Sequence, residues 1–103
     1  MEITEVRVRL LGREGKLRGF ASITLDDCFV VRDIRIIDSM DGLFVSMPHK
    51  RRRDGTWVDV AHPIDSATRE RIENRILDEY ERQLDLVELG PDALDAAGGG
   101  GRK

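Results

Sequence analysis

The sequence predicts an α+β fold in which an antiparallel β-sheet of about five strands precedes a C-terminal α-helix. Three observations predict it. Apolar and polar residues alternate through most of residues 1–62, as they do in strands with one buried face. Short polar connections between the alternating runs favour a meander. From Ser66 onward the apolar residues recur instead at helical spacing.

The first two runs predict strands that each have one apolar face. In the first run the two faces carry Val6, Val8 and Leu10 on one side and Arg7 and Arg9 on the other. The second run alternates in the same way, with Leu17, Gly19, Ala21, Ile23 and Leu25 opposite Arg18, Phe20, Ser22 and Thr24. The glycines of the intervening Gly12–Gly15 segment suit a turn because they tolerate positive φ.

The third run, Cys28–Ile37, is apolar on both predicted faces. Alternation places Val30, Ile34 and Ile36 on one face, and Phe29, Val31 and Ile37 on or near the other. A strand that is apolar on both faces needs cover on both, and one helix covers only one. A partner, a tail segment or an identical subunit could cover the second face. We expect a homodimer as the simplest of these.

The remaining elements follow in order. Leu43–Met47 follows the Asp41-Gly42 turn pair, and Trp57–Ala61 forms a last short strand. The helix is expected from Ser66, as N-cap, to about Val87, with an apolar stripe of Ile72, Ile76, Leu77, Tyr80 and Leu84. Gly90-Pro91 is expected to end it. The predicted organisation is therefore one domain over residues 1–88 and a disordered Gly-rich tail over residues 89–103.

Composition excludes several classes of protein. The chain has 103 residues, a net charge of −3 and 36% charged residues, so it is not the strongly basic protein that coats DNA non-specifically. No apolar stretch approaches the roughly 18 residues of a transmembrane helix, and the N-terminus lacks the pattern of a signal peptide. With Cys28 as its single cysteine, the chain is expected to be a soluble cytoplasmic protein without an intramolecular disulfide.

No pattern in the sequence predicts an active site. His49, His62 and Cys28 lack the spacing of zinc ligands, and no glycine-rich loop precedes a helix. Asp26-Asp27 could bind a metal, but a solvated turn is the simpler interpretation. Cys28 in an apolar run is more typical of packing than of a nucleophile. We therefore expect no catalytic residue, metal site, cofactor or small-molecule substrate.

A basic loop is the strongest candidate site. Lys50, Arg51, Arg52 and Arg53 precede Asp54-Gly55 between two short apolar runs. Adjacent cations repel one another unless an anion neutralises them, and nucleic-acid phosphates do so with release of counterions. Arginine also suits bidentate contacts to phosphate or guanine. The alternative is a solvated hairpin tip that contributes only solubility.

Three nearby side chains could extend this loop. Arg69 and Arg71 begin the helix and would join the basic patch if the helix folds back beside it, although pairing with Glu70 and Glu73 is the simpler interpretation. Trp57 could stack on a base, or it could pack beneath the loop.

Five segments within residues 1–82 also carry a family resemblance. They are MEITEVRVRL, GKLRGFASITLDDCFVVRDIRII, GLFVSMP, KRRRDGTWVDVAHPI and SATRERIE. Together they resemble the bacterial stage V sporulation protein G family (SpoVG), whose members are also called septation proteins. The resemblance implies a compact antiparallel sheet with a C-terminal helix, a homodimer, DNA binding, and RNA binding in some members. It also implies gene regulation linked to sporulation, septation and cell division.

The resemblance implies a nucleic-acid contact through positively charged residues, which correspond here to Lys50, Arg51, Arg52 and Arg53. The extension to Arg69 and Arg71 has weaker support. The predicted function is that of a nucleic-acid-binding regulator. The alternative hypothesis is a septation factor that binds another protein, and a metal-dependent enzyme ranks third.

Overall fold

A computed structural model describes residues 1–12 and 14–98 of the chain. The described elements are β1 (Ile3–Leu10), β2 (Leu17–Leu25), β3 (Phe29–Ser39), β4 (Gly42–Ser46), β5 (His49–Arg51), β6 (Trp57–Asp59) and α1 (Ser66–Gly98). The first four strands form an antiparallel sheet in the order β1-β2-β3-β4, and β5 and β6 form a separate hairpin. The α+β class and the meander are confirmed.

The expectation of about five strands in one sheet is corrected. Met47 and Pro48 separate β4 from β5, and the chain turns away from the sheet there. Proline has no N–H to donate to a ladder, so Pro48 interrupts the pairing. Its carbonyl instead accepts a hydrogen bond from the Val60 N–H (2.7 Å), which closes the base of the small hairpin.

The predicted faces of β1 and β2 are confirmed. Val6, Val8 and Leu10 pack against the core, whereas Arg7 and Arg9 are exposed. Gly19 has a steric role in this pair, because a Cβ atom there would lie 2.7 Å from the Arg9 carbonyl oxygen. Only glycine allows the two backbones to approach so closely.

The predicted faces of β3 are wrong in its first half. The register passes from Ala21 opposite Ile34 to Ile23 opposite Val31, so β3 carries an extra residue in a bulge at Arg32-Asp33. Asp33 has a φ of 61°, in the left-handed region. The extra residue reverses the alternation. Val31 therefore shares the core face with Ile34, and Val30 is 45% exposed on the opposite face.

The helix covers one face of the sheet and completes the core. It packs against β1 and β4, the two edge strands. Among the residues whose burial the structure describes, the buried side chains are all apolar: Ile3, Ala21, Ile23, Ile34, Ile36, Val45, Met47, Ile72, Ile76 and Tyr80. Leu77 and Leu84 pack against this cluster, which confirms the predicted apolar stripe of the helix. The other face of the sheet is left uncovered by the helix.

The two ends of the helix differ from their predictions. Asp65, rather than Ser66, is the N-cap: its Oδ1 accepts the Thr68 N–H (2.6 Å) and its carbonyl oxygen accepts the Arg69 N–H (3.1 Å). At the other end α1 continues through Gly90-Pro91 to Gly98. Residues 99–103, the end of the predicted Gly-rich tail, lie outside the described residues. The domain boundary at residue 88 also stays a prediction.

Candidate nucleic-acid interface

The basic segment forms the tip of the β5–β6 hairpin. The Arg52 N–H donates to the Thr56 carbonyl oxygen (2.8 Å), and the Gly55 N–H donates to the Arg52 carbonyl oxygen (3.0 Å). Gly55 has a φ of 92°. This pattern is that of a three-residue hairpin loop whose last residue is a left-handed glycine. The Asp-Gly pair therefore sets the shape of the loop that presents the arginines.

The acidic residue of the loop braces the turn. Asp54 Oδ1 accepts hydrogen bonds from the Thr56 N–H (3.0 Å) and the Thr56 hydroxyl (2.7 Å). These bonds from Thr56 lower the pKa of the Asp54 carboxyl below its ordinary value. Asp54 therefore stays ionised at neutral pH, but its hydrogen bonds serve the backbone rather than the guanidinium groups.

The four cations of the loop are open to solvent. Lys50, Arg51, Arg52 and Arg53 are all exposed, and none forms a salt bridge with a residue of the described part of the chain. A hairpin of defined shape thus presents four positive charges, and no carboxylate of residues 1–12 and 14–98 forms a salt bridge with them. Such an arrangement favours an external polyanion, because each added phosphate contact releases bound counterions.

The base of the hairpin is held against the main sheet. Arg35 Nη1, on β3, lies 3.3 Å from His49 Nε2, and His49 Nδ1 lies 2.9 Å from the Met47 carbonyl oxygen. The two contacts fit the tautomer in which Nδ1–H donates to Met47 and Nε2 accepts from Arg35. His49 therefore joins the hairpin to β3.

Neither Arg69 nor Arg71 forms a hydrogen bond or salt bridge with the loop in the described part of the chain. Arg71 Nη2 donates to the Met1 carbonyl oxygen (3.2 Å), and the Arg71 charge also helps to lower the pKa of Asp65. One turn further along, Arg75 Nη1 donates to the Ile3 carbonyl oxygen (2.9 Å). Arginines on this side of the helix thus bind the edge of β1. The predicted extension of the basic patch onto the helix stays a prediction.

Trp57 is available for contact with a ligand. It pairs in register with Arg51 and is 62% exposed, so packing beneath the loop does not describe it. Its ring meets the His49 ring edge to face, with centroids 5.2 Å apart and an interplanar angle of 74°. The exposed part of the indole could stack on a base.

A second arginine-rich surface was not predicted from the sequence. Phe20, on the uncovered face of β2, lies between Arg9 of β1 and Arg35 of β3. The two guanidinium carbons lie 5.6 and 5.9 Å from the centre of its ring. Alternation assigned Arg9 and Phe20 to the faces they occupy, but the sequence carries no signal for the register that places them together.

The other candidate residues have structural roles. Cys28 is exposed in the β2–β3 turn rather than packed in a strand, which corrects that expectation. In the same turn Asp26 Oδ1 accepts the Glu2 N–H (2.8 Å), and the Asp27 N–H donates to Thr4 Oγ1 (3.0 Å). His62 Nδ1 lies 2.9 Å from the Pro63 carbonyl oxygen, just before the helix.

Two further findings concern residues 1–12 and 14–98. Within those ranges no group of three or more His, Cys, Asp or Glu side chains is arranged to hold a metal ion. No helix in the same ranges has the length and apolar character needed to cross a membrane.

The fold and the hairpin define a small α+β protein with an exposed cationic loop. Comparison with known proteins gives the family: the chain belongs to the SpoVG family, whose model matches residues 1–82. A relative named "Putative septation protein SpoVG" in Anaeromyxobacter sp. (strain Fw109-5) is 58% identical over 84 residues, covering 82% of this chain and 86% of the relative.

Two Bacillus relatives carry the same name. The protein of Bacillus licheniformis is 50% identical over 97 residues, covering 94% of this chain and all of the relative. That of Bacillus cereus (strain AH187) is 54% identical over 89 residues, covering 86% and 92%. The names describe septation proteins rather than enzymes, and the family resemblance read from the sequence is confirmed.

Proposed function

We propose that this protein is a cytoplasmic nucleic-acid-binding regulator of the SpoVG type, which binds DNA, and RNA as a second ligand, through the basic hairpin. Its role would be to modulate gene expression linked to sporulation, septation and cell division. The observation that carries the proposal is the loop at Lys50–Arg53, where four adjacent cations are exposed and none is paired among the described residues. Phosphate groups would supply most of the affinity and position the ligand.

The net charge of −3 limits the mode of binding. Repulsion by the acidic helix would keep nucleic acid at the hairpin and disfavour indiscriminate coating. A homodimer would present two hairpins to one ligand and so raise the apparent affinity without new contacts. Exposed apolar residues at the start of β3, Phe29 and Val30, support self-association. Light scattering should then give about twice the chain mass of 11.7 kDa, and a value equal to that mass would contradict the dimer.

The test of binding replaces Arg51, Arg52 and Arg53 with Ala. In gel-shift and anisotropy titrations we expect this triple variant to lose detectable binding, because three phosphate contacts disappear together. Any residual binding should have a salt slope smaller by about 3, since each phosphate contact contributes roughly 0.9. Circular dichroism verifies the fold.

The matched control replaces the same three residues with Lys. It keeps the charge and removes the planar guanidinium groups, so binding should return in large part if phosphate charge is what the loop recognises. Unchanged binding by the folded Ala variant would exclude the hairpin as the contact. Adding Arg69→Ala to the wild-type background then asks whether the patch extends onto the helix.

The second candidate is a septation factor that binds another protein. The names of the relatives favour it, because they refer to septation and mention no nucleic acid. A septation defect caused by the Ala triple variant would fit both functions. Failure of the wild-type protein to bind any DNA or RNA probe, in either oligomeric state, would favour this second candidate.

A further inference from the structure

The uncovered face of the main sheet carries a row of alternating cationic and aromatic groups. Phe20 is at its centre, half-buried, with Arg9 and Arg35 as its cross-strand neighbours on either side. Both guanidinium groups lie over the ring, at 5.6 and 5.9 Å. Since guanidinium groups and aromatic rings are planar and both stack on nucleobases, this row resembles a base-stacking platform in its chemistry.

The row continues from the sheet to the hairpin. Arg35 contacts His49 (3.3 Å), and the His49 ring contacts the ring of Trp57. Trp57 is in turn the cross-strand partner of Arg51, at the start of the basic loop. The row around Phe20 and the basic loop therefore belong to one contiguous surface, and a single strand of nucleic acid could contact both.

Two open depressions flank Phe20. One, of about 470 Å³, is lined by Arg7, Arg9, Phe20, Ser22, Arg32 and Asp33. The other, of about 410 Å³, includes Phe20, Val30, Arg35, Pro48, His49 and Val60 in its lining. Phe20, Arg32 and Asp33 are common to both linings, so an unpaired base has room beside the Arg9–Phe20–Arg35 row.

The charge of this surface favours a polyanion. The linings of the two depressions hold four arginines (Arg7, Arg9, Arg32 and Arg35) and one carboxylate, that of Asp33. Of these arginines, Arg7 is paired with Glu5 at 2.9 Å. A two-fold contact between copies centred on this patch would set arginines against arginines and would be repulsive. An anionic ligand is thus a better occupant of this part of the face than a second copy.

We infer that the uncovered sheet face binds single-stranded nucleic acid, with bases stacked on Phe20 and Trp57 and phosphates held by the flanking arginines and the hairpin loop. This inference rests on the proposed function. It adds that the nucleic acid is single-stranded and that the uncovered sheet face is a second contact surface beside the hairpin. A single strand fits better than a duplex, because bases in a duplex are stacked on one another and cannot reach Phe20 without being extruded.

The test compares Phe20→Leu with Phe44→Leu in the full chain. Phe44 belongs to the same uncovered face, two residues along β4 from the partner of Arg35, but it is outside the row. The probes are fluorescein-labelled oligouridylate and oligothymidylate of about 12 nucleotides, within the roughly 4–16 nucleotides that single-strand modules cover. A mixed-sequence duplex of DNA is the third probe. The RNA and DNA probes distinguish the two sources of single strand.

We expect Phe20→Leu to weaken binding of at least one single-stranded probe by about 5- to 150-fold, the usual range for loss of one stacking platform. Duplex binding should be unchanged, and Phe44→Leu should leave all three probes unaffected. Trp57 is the chain's single tryptophan, so its fluorescence reports on stacking directly. Saturating single-stranded probe should quench it in the wild type, and saturating duplex should quench it less.

The outcomes separate this inference from the proposed function. If the wild type binds none of the probes, the proposed function fails and the inference fails with it. If the wild type binds and the hairpin Ala variant does not, but Phe20→Leu equals Phe44→Leu, only the inference is overturned. Equal losses of single-stranded and duplex binding in Phe20→Leu also overturn it.

A second variant protects the test against misfolding. Arg9→Lys keeps the charge and removes one planar group that flanks Phe20, whereas the Arg35–His49 contact that holds the hairpin is kept. It should weaken single-stranded binding and leave duplex binding unchanged if the row stacks on bases. Equal affinity of this variant and the wild type for single strands would contradict the role of the guanidinium plane.

Discussion

The two faces of the four-stranded sheet are built from the same strands but have opposite chemistry. The covered face carries Ile34 and Ile36, fully buried under the helix. The uncovered face carries the Arg9–Phe20–Arg35 row. The covered face supplies folding free energy, whereas the uncovered face places charge and aromatic rings in a fixed geometry. Burial of apolar area on the covered face stabilises the fold, and the rigid backbone of the strands holds the side chains of the uncovered face in place.

The Arg32-Asp33 bulge determines which β3 side chains belong to which face. Without it, Val30 would point into the core and Val31 away from it, as strict alternation predicts. With it, Val31 packs on the core and Val30 is open to solvent. The extra residue, at Asp33 in the left-handed region, thus shifts the pairing of β3 by one residue. As a result Val31 lies opposite Ile23, and Phe29 lies opposite Leu25.

The largest expected effect contrasts two truncations within β3. Ile36→Ala should lower the free energy of unfolding by about 2–5 kcal/mol, because Ile36 is fully buried and its loss leaves a cavity. Val30→Ala, on the opposite face, should cost less than about 1 kcal/mol in the monomer. Urea unfolding measures both. A loss at Val30 that matches the loss at Ile36 would show that the uncovered face is buried in solution, and a concentration-dependent midpoint would assign that burial to a second copy.

A smaller effect is expected at the bulge itself. Asp33→Gly should be about 1 kcal/mol more stable than Asp33→Ala, because a φ of 61° strains alanine and suits glycine. The thermal unfolding midpoints of the two variants and of the wild type measure this difference. Equal stability would mean that β3 adopts another register in solution, and the assignment of Val30 and Val31 to their faces would then be wrong.

The smallest effect is expected at Asp65, the N-cap of α1, the helix that covers one face of the sheet. Hydrogen bonds from the side chain and N–H of Thr68 lower the pKa of Asp65, so its charged form stabilises the folded state. That contribution is complete above the ordinary Asp pKa of about 3.9 and is lost as the pH falls through the lower folded value. Asp65→Asn keeps a capping side chain but does not titrate.

Melting curves of this pair should therefore differ most near neutral pH. The advantage of the wild type over Asp65→Asn should shrink as the pH falls below about 4. An advantage that persists at the lowest pH at which both variants fold would mean that the Asp65 charge does not stabilise the helix. In that case Asp65 would act only through the geometry of its cap.

Much of the fold follows from local pattern. The alternation of Val6, Val8 and Leu10 and the helical stripe from Ile72 to Leu84 predict the correct elements and the correct inward faces. The cationic loop is also readable, because its four charges are adjacent in the chain. The bulge and the split between two sheets are not readable, since each depends on which backbone groups meet across strands. Asp65 and Ser66 are both residue types that cap helices, so the sequence leaves the identity of the N-cap open.

The α+β class, the meander, the helix and the position of the basic loop can all be predicted from the sequence. They depend on periodicity and on neighbours in the chain, which are local properties. The position of Phe20 between Arg9 and Arg35, and the continuation of the row to Trp57 through His49, became visible only in the folded molecule. Strand register and the placement of the hairpin are set by packing and hydrogen bonding between segments that are distant in the chain, so no short segment predicts them.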